Sequence, residues 1–290
     1  MGSFAIISCK IFEDELAYLI SKDELSPVLF ILDDSTSQEN FYVKLTKYGV
    51  NPRKIILVKD EELRKFKYSN EYSLLIWMKP LALHERPKLL RNDIIESVKK
   101  LKDYTNYVLL LYGLCGNSLS DISNDPSIGS PGIFITPLFD EDSCIVDDCI
   151  GCLLGGRNEY LRIMNEFKSS FFLSPTWARY WKELLHIDKI LNNYTLVGRV
   201  KSILKELGYR YVVKIHTGLE DPHIFDQHVE EFSNIFNLEK VNVNGTLKII
   251  EDNYNRIRRR ALSHSYLTRV YNGVLREEVG GSNYESNRTL

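Results

Sequence analysis

The chain has 290 residues, 44% of them hydrophobic and 26% charged, with a formal net charge of −2. That length can bury a substantial core in one large domain or two small ones. The near-zero charge excludes a general affinity for nucleic acid or membrane surface, and no apolar run approaches the roughly 20 residues that span a bilayer.

The first ten residues, MGSFAIISCK, lack the basic start and long apolar stretch of a secretory signal, and Ile6 stands where a myristoylation signal wants Ser or Thr. A cytoplasmic setting is expected, in which thiols stay reduced. Phe4 to Cys9 then reads as a strand. Pro27 onward (PVLFILDD) is a second, Lys54 onward (KIILVKD) a third, Ser73 to Met78 a fourth, Tyr107 to Gly113 a fifth and Gly132 onward (GIFITPLF) a sixth. Their near-continuous apolarity is that of strands buried on both faces. Helical spacing runs through Glu13 to Ser21, Glu39 to Tyr48 and Arg91 to Tyr104 between them. The alternation predicts an α/β, Rossmann-like fold: a mostly parallel sheet with helices on both faces.

The second half is more helical. Glu159 to Lys168, Pro175 to His186, Val197 to Leu207 and Phe225 to Phe236 carry helical periodicity, and YRYVVKIHTG reads as a further strand. The expected division is an α/β half over 1–157, a helix-rich half over 158–260, and a polar, frayed tail over 261–290. The Gly-, Ser-, Asn- and Pro-rich stretch from Gly116 to Gly132 is a loop directly after a strand.

The cysteines fall on strand ends. Cys9 closes the first strand, Cys115 lies just past the fifth, and Cys149 and Cys152 sit where a helix follows the sixth. In open α/β sheets ligands gather at the carboxyl ends of strands. Three separate loops would therefore bring a thiol to one edge, which is the reason to read Cys9, Cys115 and Cys149 as a site. Asp148 suits the cap of a helix starting at Cys149, where backbone N–H groups favour thiolate; Asp147 and Asp148 push the other way unless a cation is bound. Cys144 reads better as core filler, Cys152 as either core or ligand. No second CxxC completes a four-thiolate zinc knuckle. His84, in LALHERP, is a further candidate ligand or acid–base group; His216, His223 and His228 read as solvated or structural residues. The run Arg256 to Arg260 is placed more cheaply at a helix end than on RNA.

YGLCGNSL, DDCIGCLLGGRNEY, SSFFLSPTWARYW, HTGLEDP and VNVNGTLKIIEDNY, in that order, resemble the family catalogued as domain of unknown function 1638. The resemblance implies that Cys9, Cys115 and Cys149 are the family's three thiols. It further implies a metal- or cluster-related role in anaerobic one-carbon metabolism near corrinoid methyltransferase systems. The chain departs from the pattern at Asp147 and Thr176, and Cys144 and Cys152 look like additions.

The function expected first is a cytoplasmic protein that binds an iron–sulfur cluster, or alternatively zinc, through Cys9, Cys115 and Cys149, with His84 or Cys152 completing the shell. One metal or small cluster requires those sulfurs to lie within roughly 4 to 7 Å of one another. The alternatives are a methyltransferase-type enzyme, metal-free or zinc-dependent, with Cys149 as a reactive thiol, and a non-catalytic subunit that docks on a protein partner in a methyl-transfer or cofactor-activation complex. For docking, Phe171, Phe172, Trp177 and Trp181 are the aromatic candidates, although core packing accounts for them more simply.

Overall fold

A computed structural model describes residues 2–32, 37–128, 132–185 and 194–280. Asp33 and Asp34 at the end of the second strand segment, residues 129–131 near the end of the Gly116–Gly132 loop, His186 and the last ten residues lie outside them.

Six strands form one parallel sheet: β1 (Ser3–Cys9), β2 (Val28–Leu32), β3 (Ile55–Val58), β4 (Ser73–Lys79), β5 (Tyr107–Leu111) and β6 (Phe134–Thr136), in the spatial order β3-β2-β4-β1-β5-β6. β1, β2, β4 and β5 are buried along almost their whole length, the reason their sequences are apolar without alternation. The helices that follow the strands are α1 (Glu13–Ser21), α2 (Ser37–Lys47), the short α3 (Arg64–Lys67) and α4 (Pro87–Leu101). One core cluster, around Phe4, Ile6, Leu16 and Phe41, lies on one face of the sheet; another, around Ile7, Phe66, Leu90 and Val98, lies on the other. The α/β, Rossmann-like expectation is borne out.

The chain leaves β1 towards β2 on one side, returns to β4, and crosses to β5 on the other. The direction of winding therefore reverses between β4 and β1, and the carboxyl ends of those two strands flank the crevice that doubly wound sheets offer to ligands.

The second half contains α5 (Cys149–Leu153), α6 (Arg157–Glu166), β7 (Ser170–Leu173), α7 (Pro175–Leu184), α8 (Tyr194–Glu206), β8 (Tyr211–His216), α9 (Pro222–Phe236), β9 (Glu239–Asn244) and α10 (Lys248–Gly280). β7, β8 and β9 make a separate parallel sheet in that order. The sequence reading found only β8. β7 is four residues long, and β9 is an edge strand whose Val241 and Val243 alternate with exposed Asn242 and Asn244, a short and mostly polar pattern. α7 and α9 cover one face of this sheet through Trp181, Phe225 and Phe232.

The two sheets share a core. Val213 and Ile215 of β8 belong to the same cluster as Phe4 and Ile6 of β1. A Cβ on Gly245 would stand 2.9 Å from the Leu153 carbonyl and 2.7 Å from Ile215 Cγ2, so the close seat of the second sheet on α5 depends on glycine there. α10 then runs back over β1 and β5. Ile250, Tyr254, Ile257 and Ala261 are buried at helical spacing, and helix continues through Gly280. The frayed tail expected from Ala261 therefore begins inside a helix: the buried stripe anchors it, and the polar residues beyond still suit the helical state. No helix among the described residues is long and apolar enough to cross a membrane.

Candidate functional site

Three loops at the carboxyl edge of the six-stranded sheet meet at one cavity of about 270 Å³. Cys9, Cys115 and Cys149 all line it, with His84, Tyr112 and Trp177.

The local fold explains each placement. Cys9 is the last residue of β1, and the chain turns at once through a 3₁₀ turn, Lys10–Phe12, into α1. Past β5, a Cβ on Gly113 would lie 2.4 Å from the Val146 carbonyl, so only glycine lets the two segments touch. There the N–H of Leu114 donates to Val146 O at 2.8 Å, and that of Cys115 to Asp147 O at 2.9 Å. These two bonds clamp the Cys115 loop against the entry to α5. Asp148 caps α5: its Oδ1 accepts from Gly151 N at 2.8 Å, as the sequence predicted. Cys149 is the first residue of that helix, one position from the clamp.

Two non-glycine residues of the wall adopt left-handed backbone, Ala82 at φ 64° and Cys115 at φ 45°. Such conformations cost of order 1 kcal/mol or more and gather at ligand sites. Ala82 opens the 3₁₀ turn that carries His84, which is exposed at the rim.

Trp177 arrives from the second half. Ser174 and Pro175 start α7 by ordinary rules: Ser174 Oγ accepts from Trp177 N at 3.2 Å, and proline takes the first helical position. α7 is fastened to α1 by charge. Arg179 Nη1 reaches Asp14 Oδ2 at 3.1 Å and Glu13 Oε1 at 3.3 Å, and Lys44 from α2 meets the same two carboxylates at 2.6 and 2.8 Å. Those acids occupy the first turn of α1, where the helix dipole favours negative charge. The Trp177 side chain stands beside the Cys149 sulfur and is the one neighbour that works against the rise of its pKa.

The thiols are electrically unusual. Burial pushes Cys9 up to about 11, and burial with the nearby Cys9 pushes Cys115 up to about 12. Cys149 is driven well above the ordinary thiol value, first by burial, then by Asp148, Cys9 and Cys115. The helix start therefore does not yield a thiolate at Cys149, against the expectation from its position. α5 is one turn long, and desolvation plus the Asp148 charge outweigh its few N–H groups. All three thiols are protonated at neutral pH unless a cation joins them.

The remaining cysteines sit apart. Cys152 is wholly buried in the core beside α10 and does not line the cavity. Cys144 is exposed, in the turn between the bridged Phe139 and Ile145, so the core-filler reading fails there. Among the aromatics offered for docking, Trp181 is buried, while Phe171 and Trp177 meet edge to face with ring centroids 5.7 Å apart.

Sequence reasoning missed Tyr112, which directly follows β5. Its hydroxyl is buried close to Cys9 and Cys115, and it makes no hydrogen bond of good geometry. Burial drives its pKa far above the ordinary phenol value, so it remains a donor. Trp177 was read for docking rather than for the site; its position after a Ser-Pro cap was the available signal.

The donor chemistry suits a soft metal: three thiols from three loops, with an orphaned buried hydroxyl beside them. The spacing is not that of a ready coordination shell. Among the described residues, no group of three or more His, Cys, Asp or Glu side chains stands close enough to hold a metal ion.

A doubly wound α/β protein with a thiol-lined cavity at its winding reversal is the class that this fold and site define. Residues 78–254 match the family described as Protein of unknown function (DUF1638), and the chain belongs to that family. The matched span includes His84, Cys115, Cys149 and Trp177 and leaves Cys9 outside. No curated protein matches the sequence.

Proposed function

We propose that this is a cytoplasmic protein that binds a soft metal centre, an iron–sulfur cluster before zinc, through Cys9, Cys115 and Cys149. The observation that carries the reading is the convergence of three thiols from sequence-distant loops on one cavity. Cysteines retained as core filler have no reason to meet at the winding reversal of a sheet. Cys9, Cys115 and Cys149 would hold the centre, and each must give up its proton to do so. The raised thiol pKa values make that exchange strongly pH-dependent, since a bound cation removes the penalty that burial imposes. Trp177 stands beside the Cys149 sulfur and closes the cavity on that side. Because no ready shell exists, binding draws the three loops inward, and the Leu114 and Cys115 backbone clamp limits how far they travel. When bound, such a centre supplies an open coordination position for a substrate or exchangeable ligand.

Burial argues against the metal-free alternative. A nucleophilic Cys149 needs a lowered pKa or an adjacent base, and its surroundings raise the pKa instead. Service to one-carbon or methyl-transfer metabolism, alone or docked on a protein partner, rests on the family resemblance.

Purification without oxygen followed by iron, zinc and sulfide analysis tests the proposal. Near-stoichiometric metal is expected, falling at least tenfold in Cys115→Ser and Cys149→Ser and unchanged in Cys144→Ser. Metal-free protein, or metal retained by both cavity variants, would overturn it.

A further inference from the structure

The chain carries a CxxC of which the metal reading uses only half. Cys149, the first residue of α5, lines the cavity, while Cys152, three residues on in the same helix, is wholly buried and takes no part in lining it. Residues three apart share a helix face, with Cβ atoms about 5–6 Å apart. A disulfide wants roughly 3.5–4.5 Å between them, so a movement of about 1–2 Å joins the two sulfurs. Cys149 begins a helix of only five residues, which holds its end less firmly than a long helix would.

Glu15 is a second group without a task. It lies in the first turn of α1, 1% exposed, and its Oε2 has no hydrogen-bond partner. Of the charged groups that act on the Cys152 thiol, Glu15 is foremost and Asp148 follows. Around Glu15 itself stand Asp14 and Glu13 on the same helix, Lys44 of α2 and Tyr48 just past it. Burial and Asp14 push the Glu15 carboxyl up to about 8, which makes it a base of useful strength inside the core. A thiol sealed from solvent needs such an acceptor before its sulfur can attack.

Burial also sets the direction of the exchange. A dithiol is held reduced where its thiolate is stabilised. Desolvation drives the Cys152 thiol well above its ordinary value, so the reduced pair gains no such help and the neutral disulfide is favoured. The same desolvation makes the exchange slow.

We propose that Cys149 and Cys152 are a thiol–disulfide pair, closed by a low-molecular-weight disulfide that enters the cavity, with Glu15 taking the proton of Cys152. The bond withdraws Cys149 from the metal centre, and a bound centre withholds Cys149 from the bond; this regulatory half rests on the metal reading. The Cys149 sulfur attacks one sulfur of the entering RS–SR, the S–S bond breaks, and RSH leaves with the Cys149 proton. Cys152 then passes its proton to the Glu15 carboxylate, and its sulfur displaces RS− from the mixed disulfide. The proton on Glu15 follows RS− to solvent. Two Cys–SH and one RS–SR thus become one Cys–S–S–Cys and two RSH.

The test uses the full-length protein purified without oxygen, as isolated and after chelator treatment. Each form is incubated with 2-hydroxyethyl disulfide, quenched in acid and mapped by mass spectrometry. A bond between Cys149 and Cys152 is expected in the chelated protein, forming at least tenfold more slowly with metal bound. Cys152→Ala should stop at the mixed disulfide on Cys149. Glu15→Gln should accumulate that same species and close at least tenfold more slowly at pH 8.5. It should also lack the rise that the parent's closing step shows as pH passes through about 8. Exposed Cys144→Ser should close as the parent does. No bond, a bond between other cysteines, no trapped species in Cys152→Ala, or unchanged closure in Glu15→Gln would overturn the proposal. Equal rates with and without metal would overturn its regulatory half. Metal in the isolated protein with no bond after chelation sinks this inference and leaves the metal reading intact; the bond in a protein isolated without metal does the reverse.

Discussion

The carboxyl edges of the two parallel sheets solve the same problem in opposite ways. Beyond β8 and β9, His216 Nδ1 lies 2.9 Å from Glu220 Oε1 and its Nε2 3.1 Å from Asn242 Oδ1, while Thr217 Oγ1 donates to Glu220 Oε2 at 3.1 Å. His216, Thr217 and Glu220 each have a partner there. Beyond β1, β4 and β5, the Tyr112 hydroxyl has no such partner, three thiols are desolvated, and two residues hold left-handed backbone. A satisfied network closes an edge. An unsatisfied one keeps it open for something the chain does not itself supply.

Two buried glutamates make the contrast measurable. Glu15, in the first turn of α1, is pushed up to about 8 by burial and by the neighbouring Asp14, and its Oε2 lacks a partner. At Glu220 burial also pushes upward, but its own backbone N–H, His216 and Thr217 outweigh it and hold the carboxyl below the usual value. The largest expected effect is therefore at Glu15. Its folded pKa exceeds the unfolded one, so the folded state binds more protons between about 4.5 and 8, and stability falls as pH rises through that window. Glu15→Gln should flatten this fall, making the variant more stable than the parent at pH 8.5 by the order of a few kcal/mol, and close to it at pH 4.5. Urea denaturation at the two pH values checks it; parallel curves for parent and variant would contradict it.

A smaller effect of opposite sign is expected at Glu220. Its depressed pKa contributes stability above about 4.5, lost as pH falls through the lower folded value. Glu220→Ala leaves His216 and Thr217 without their acceptor and should cost ~1–2 kcal/mol at pH 7. Metal content should stay unchanged, because no member of that network lines the cavity. Denaturation midpoints paired with metal analysis separate the two edges; a loss of metal in this variant would mean that the sheets are coupled.

The finest distinction lies among the thiols. Alkylation by iodoacetamide at pH 8, followed by mass spectrometry, should modify exposed Cys144 first, the cavity trio far more slowly and buried Cys152 last. A fast Cys149 would revive the nucleophile reading.

Much of this architecture was legible in the sequence because burial on both faces of a parallel strand leaves an unbroken apolar run, as in SLLIWM. The trio of thiols was legible for a topological reason: strand ends in such a fold share one edge. β7 and β9 escaped because a four-residue strand and a polar edge strand carry too little pattern. Tyr112 and Trp177 escaped because nothing local marks an aromatic residue as cavity wall; their roles arise from neighbours distant in sequence, Cys9 for Tyr112 and Cys149 for Trp177. The charge state of Cys149 escaped for a related reason. Its helix start argued for thiolate, and only the packed surroundings reveal how much desolvation opposes it.

Crystals grown without oxygen, with anomalous diffraction recorded at the iron and zinc absorption edges, offer the most direct test. A single strong peak is predicted within bonding distance of the sulfurs of Cys9, Cys115 and Cys149. An empty cavity with its three thiols still apart, or a peak at Cys144 or elsewhere on the surface, would contradict it.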